Sequence, residues 1–140
     1  MKRIILLTAL ALALGNHSNS QSLIAHSAAT ALPINLGEFK FEGSTHDFGK
    51  LIEGSSAIYR FKFTNVGHSP ILISNATSSC ECTVPQWSKM PIQPGMSGEI
   101  QVSYDTNDRI GEFNKTVTIS SNAKKELMLL IIRGVIIKKS

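Results

Sequence analysis

Aromatic residues are scarce in this chain: they make up 6% of its 140 residues and include one Trp, which argues against a large surface for stacking a flat cofactor. Cysteine is scarcer still, with Cys80 and Cys82 alone. Two cysteines without a second Cys pair or paired histidines do not complete a tetrahedral metal site. The nucleophile-elbow pattern GxSxG, the zinc motif HExxH and a phosphate-cradling glycine loop are all missing, so no catalytic residue is assigned and a hydrolase reading has no motif to stand on. No apolar run reaches the roughly 20 residues that cross a bilayer. Basic residues form no stripe, only the pairs Lys124-Lys125 and Lys138-Lys139, so nothing here would neutralise a run of phosphates and nucleic acid is not an expected partner. With 17% charged and 42% hydrophobic residues the composition is globular, and the length suits one domain.

The first residues have the pattern of a signal peptide. Lys2 and Arg3 precede an uncharged apolar run, IILLTALALAL over 4–14, which Gly15 ends before the polar stretch NHSNSQS. Eleven apolar residues are too few for a membrane anchor. Small residues at Ser18 and Ser20 suit a cut that leaves Gln21 first, and later cuts after Ala25 or Ala29 remain open. No Cys lies near that boundary to carry a lipid. The expected organisation is a signal peptide over 1–20, a flexible Ser- and Ala-rich leader over 21–37, and a single domain over 38–140. Removing Lys2 and Arg3 leaves twelve basic against ten acidic residues, a balance of +2. The expected destination is the periplasm or the extracellular space, with no transmembrane span after cleavage.

From Phe39 onward the pattern is that of strands, with turn residues recurring about every ten positions. FKFE and THDFGKL open the series. In SAIYRFKFTNVG, Tyr59, Phe61 and Phe63 alternate with Arg60, Lys62 and Thr64, giving one aromatic and one solvated face. The stretch 65–70 (NVGHSP) reads as a turn, and PILISNAT follows as a strand. Pro94-Gly95 marks the turn before Ile100, Val102 and Tyr104, and Gly111 precedes Phe113, Val117 and Ile119. The closing ELMLLIIRGVII is apolar on both faces, as expected of a strand buried on both sides or central in a sheet. The expected fold is all-β, an immunoglobulin-like antiparallel sandwich of about seven strands.

HDFGKLIEG, FKFTNVGHSPILI, SSCECTVPQW, IQPGMSGEIQVSYDT, GEFNKTVTISSN and LIIRGVI occur in that order. Together they resemble a family of bacterial exported domains of unknown function, in the broad immunoglobulin-like group that also holds the Hydin-type and major-sperm-protein-like modules. The resemblance covers roughly 39–137. It implies an immunoglobulin-like sandwich in the cell envelope, relatives that act as interaction modules, and no established activity. Members often carry Gly between the two cysteines, where this chain has Glu81.

Cys80 and Cys82 are the residues able to carry chemistry, and four readings of the pair stay open. They pack or bridge at the sandwich edge; they form a redox-active or intermolecular pair, since an exported chain meets oxidising conditions; they bind copper or zinc through two thiolates, with His68, Met90 or Met96 nearby; or one is a nucleophile. In an extended backbone their Cα atoms would stand roughly 6.5 Å apart, near the upper limit for a disulfide. Trp87 reads either as core packing or as an exposed contact in a Pro-bounded loop, and with Glu81 it makes a candidate interaction loop. His46 and His68 read as surface or capping residues, and Asp105 to Asp108 only faintly resemble a calcium loop. The expectation is a non-enzymatic interaction or assembly module in the envelope, bound to an unidentified envelope protein and needing no cofactor. The alternative is a copper, zinc or thiol-redox carrier using Cys80 and Cys82.

Overall fold

Tyr59, Phe61 and Phe63 set the phase around which the domain is built. The structure is a computed structural model and describes residues 35–140, so the signal-peptide expectation, and the leader expectation up to residue 34, lie outside the described residues. Eight strands are present: β1 (Phe39–Phe41), β2 (Thr45–Ile52), β3 (Ala57–Asn65), β4 (Ile73–Ser78), β5 (Thr83–Trp87), β6 (Ser97–Tyr104), β7 (Gly111–Ser121) and β8 (Leu127–Ile137). They form two four-stranded sheets, one ordered β1-β3-β6-β5 and the other β2-β8-β7-β4. No helix occurs among the described residues, and none there is long and apolar enough to cross a membrane.

The core lies between the sheets, where period-2 alternation turns one side of each strand inward. Phe61 and Phe63 of β3, Ile100 and Val102 of β6, Val117 and Ile119 of β7, and Leu130, Ile132 and Ile136 of β8 are buried there. Burying each such side chain contributes about 2 kcal/mol from the area removed from water. Packing at the β1 end is close: Phe39 meets Phe63 edge-on with ring centroids 4.9 Å apart. Gly98 of β6 leaves room for that ring, since a Cβ there would stand 2.6 Å from Phe63 Cζ. Residues 35–37 are already tied to the sandwich: Ser69 Oγ donates to the Asn35 carbonyl, His68 N to Leu36 O, and Lys124 N to Gly37 O.

Three features differ from the sequence expectation. The strand count is eight, because TVPQW is paired with β6 as strand β5 despite Pro85. Pro85 is tolerated because β5 is the edge of its sheet, where a missing N–H can face solvent. The sandwich is also not wholly antiparallel, since β2 runs parallel to β8 with a register shift between Asp47 and Lys50. A parallel pair needs a long connection, and five strands intervene between these two. Strand β8 is central, as one form of the expectation had it, but only one face is buried: Leu127 and Leu129 on the other stay 56% and 53% exposed.

Candidate functional site

The chain leaves β4 in one sheet and enters β5 in the other through a tight turn over 79–82. Cys80 and Cys82 are bridged by a disulfide with their Cα atoms 5.3 Å apart. The turn draws them closer than an extended strand would, into the middle of the range a disulfide accepts. Cys82 is buried, Cys80 half-buried and Glu81 exposed at the tip. Glu81 needs no glycine-like backbone: among the described non-glycine residues only Asp108 has a positive φ. The Gly common at this position in the resembling family is therefore not required by the conformation seen here.

Hydrogen bonds hold the turn from several sides. Ser78 Oγ donates to the Cys80 carbonyl at 2.6 Å, and Thr83 N donates to the same oxygen at 3.2 Å. Ser79 N donates to Thr116 O at 2.9 Å, and Asp105 N donates to Cys82 O at 2.9 Å. The buried Thr83 hydroxyl lies 3.7 Å from Cys80 Sγ and 3.9 Å from Cys82 Sγ. Bridged sulfurs carry no proton, so the hydroxyl is the donor, and its single hydrogen serves one sulfur or is shared between the two. A hollow of about 440 Å³ opens beside the turn, walled by Glu81, Cys82, Val84, Tyr104, Asp105 and Arg109. Hydrogen bonds from Asn107 hold the Asp105 carboxyl below its ordinary range, and burial pushes the Tyr104 hydroxyl up. A larger hollow of about 620 Å³ on the opposite sheet holds the Asp47–Arg133 ion pair, at 3.0 Å, and no cysteine.

Trp87 is not part of the turn. It closes the far end of β5, four residues beyond Thr83 and about 13 Å away by strand rise. Its indole Nε1 donates to Ile73 O at 3.2 Å, which links β5 to β4 across the open side of the sandwich. The ring is half-buried against the core, and Lys89 Nζ stands 3.3 Å above its centroid. The expected Cys80-to-Trp87 loop is thus an edge with the bridged turn at one end and Trp87 at the other. Between them Val84 is exposed, and Met90 beyond Trp87 is 74% exposed.

Other sequence candidates lie apart from this edge. His46 stacks on Tyr59 with centroids 3.6 Å apart, and burial lowers its pKa. Asp105 Oδ1 accepts from Asn107 N and Nδ2, which makes an Asx turn out of the segment that faintly resembled a calcium loop. His68, Met90 and Met96 are exposed, and among the described residues no three His, Cys, Asp or Glu side chains are grouped to hold a metal ion.

Asn65 is the polar residue that the sequence reading missed, having been placed in a turn. It is fully buried at the end of β3. Its Oδ1 accepts from Glu38 N and Gly67 N, and its Nδ2 donates to Ser69 O and Ile92 O. One side chain therefore satisfies four backbone groups. The available signal was the alternation itself, since Asn65 continues the inward phase of Phe61 and Phe63.

No curated protein matches the chain. Among solved structures, a protein of unknown function from Porphyromonas gingivalis aligns at 18% identity with a TM-score of 0.65, over 75% of this chain and 50% of its own. The chain thus spans half the length of that relative. The ASH/PapD-like domain 7 of human CEP192 aligns at 8% identity with a TM-score of 0.63, over 84% of this chain and 97% of the domain. The Vibrio cholerae VesB protease aligns at 13% identity with a TM-score of 0.54, over 73% of this chain and 32% of that one. At such identities the likeness shows the fold, an immunoglobulin-like, PapD-like sandwich. A family model described as a protein of unknown function, DUF1573, matches residues 39–136, and the chain belongs to that family.

Proposed function

We propose that this is an exported, non-enzymatic interaction module of the cell envelope, acting in the periplasm or outside the cell, and that it meets a protein partner along the β4–β5 edge. The observation that carries this reading is the exposed Glu81 at the tip of a turn pinned by a disulfide and by hydrogen bonds to Cys80 O and Cys82 O. A contact residue already held in place loses little freedom on binding, which favours affinity. The disulfide itself supports an oxidising compartment, in keeping with the signal-peptide pattern. The likeness to Hydin-type and major-sperm-protein-like modules read from the sequence points the same way.

The edge favours docking by side chains over addition of a strand. Pro85 offers no N–H at the middle of β5, and the Thr83 N–H is already taken by Cys80 O. On β4, Asn75 Oδ1 takes the Ala76 N–H, and the register with β7 is irregular between Ile73 and Asn75. A fitting partner offers a cation to Glu81 and an apolar surface to Val84. The carrier alternative divides at the bridge: copper or zinc needs both thiolates free, whereas thiol chemistry needs the bridge itself.

The test is photo-crosslinking in the envelope of the producing cell, with a benzophenone residue at the exposed position 86 of β5, which leaves Glu81 in place, or at position 125 in the β7–β8 turn. Position 86 is expected to give one discrete adduct, competed by excess mature chain and not by the Glu81→Lys chain. Equal adducts from both positions, or competition by the Lys variant, would overturn the reading.

A further inference from the structure

We propose that the Cys80–Cys82 bridge is a thiol–disulfide exchange site whose substrate is a protein dithiol. The bridge staples nothing that the chain has not already joined, because both cysteines sit in one turn with a single residue between them. A disulfide resists reduction in a folded protein largely through the loop it closes, and this one closes almost none. The turn does not depend on it either. The bonds from Ser78 Oγ and Thr83 N to Cys80 O, and from Asp105 N to Cys82 O, remain when the sulfurs part. The two thiols would therefore stay side by side, set to close again.

The two sulfurs are unequal, and this gives the exchange a direction. Cys80 is the more exposed of the two, half-buried against the core, whereas Cys82 is 7% exposed. A thiolate of the substrate attacks Cys80 Sγ, forms a substrate–Cys80 disulfide and expels Cys82 as thiolate. The buried Thr83 hydroxyl, within 3.9 Å of Cys82 Sγ, is placed to donate to that thiolate. The substrate's second thiolate then attacks its own bridged sulfur and releases Cys80. The substrate dithiol has lost two electrons and two protons and become a disulfide; Cys80 and Cys82 have gained them and become thiols. The hollow beside Cys82, with Val84 and Arg109 on its walls, gives the substrate segment a place to lie. None of this depends on Glu81 binding a partner, and the experiment reads sulfur rather than association.

The oxidised mature chain is equilibrated with glutathione redox buffers without denaturant, quenched in acid, and its free thiols are counted by alkylation and mass. Reduction of the folded protein is expected, and a bridge that opens only in urea overturns the proposal. The single variants are then reacted with dithiobis(nitrobenzoate). Cys82→Ser, which keeps Cys80, is expected to react at least tenfold faster than Cys80→Ser, which keeps Cys82; equal rates overturn the assigned direction. Thr83→Val is expected to slow opening by dithiothreitol about tenfold with the melting temperature of the oxidised protein unchanged, and opening at the wild-type rate overturns the role of the hydroxyl. The glutathione titration needs no variant, so the proposal stays open to refutation even if a variant fails to fold.

Discussion

Replacing Asn65 with Ala tests whether one buried amide holds three segments of the domain together. The side chain binds Glu38 N at 3.2 Å, Gly67 N at 3.0 Å, Ser69 O at 2.8 Å and Ile92 O at 2.9 Å. The substitution removes all four bonds and leaves Glu38 N, Gly67 N and Ser69 O without this partner, while Ile92 O keeps its bond from Ile71 N. At a net value of about 1 kcal/mol for each bond, the expected loss is about 4 kcal/mol. That is a large share of the 5–15 kcal/mol that holds a typical domain, and for a domain of this size it corresponds to a fall of roughly 16–20 °C in Tm. Urea denaturation is the assay, because a lower midpoint at unchanged slope reports stability alone. Asn75→Ala is the control, since its Oδ1 binds one exposed backbone group, Ala76 N, and about 1 kcal/mol or less should be lost. Asn65→Asp should be as damaging at neutral pH, where a carboxylate would face two carbonyl oxygens, and should regain stability in acid as the protonated carboxyl recovers a donor. A loss for Asn65→Ala no larger than for Asn75→Ala would refute the reasoning.

Gly98→Ala places a Cβ 2.6 Å from the Phe63 ring and is expected to cost about 1–3 kcal/mol by overpacking, read by the same denaturation; Phe63→Leu in that background should recover part of the loss. The Cys80→Ser/Cys82→Ser chain should fold and lose at most about 1.6 kcal/mol, the value the loop-closure relation gives for a three-residue loop; failure to fold would show a structural bridge. His46 has its pKa lowered by burial, so its contribution is full above the ordinary value of 6.5 and is lost as pH falls from there through the folded value. The wild-type urea midpoint should therefore drop between pH 7 and pH 5, and that part of the drop should vanish in His46→Gln. An identical profile in the variant would show that His46 does not titrate differently on folding.

Much of the sandwich was legible because its inner strands obey simple alternation. In β3 and β6 the buried residues fall on every second position, and turn residues bracket each run. Strand β5 was not legible, because Pro85 reads as a breaker unless the strand is known to lie at an edge, and edge position is a property of the assembled sheet. The parallel β2–β8 pairing was hidden for a related reason: alternation tells which face of a strand is buried, not the direction of its neighbour. At the site, spacing brought Cys80 and Cys82 within bridging range but left four readings open. The turn that closes their Cα separation to 5.3 Å is held by Ser78, Thr83 and Asp105, and Asp105 comes from a distant part of the chain. The spacing of Trp87 suggested a neighbour of the cysteines, whereas the extended conformation of β5 carries it to the other end of the edge.

A bridged, pre-set turn is tested most directly by the intact mass of the protein, purified from the cells that produce it and alkylated in urea before and after reduction. The bridge predicts no alkyl group without reductant and two after it. Two groups taken up before any reductant would contradict the bridge as the resident state of Cys80 and Cys82.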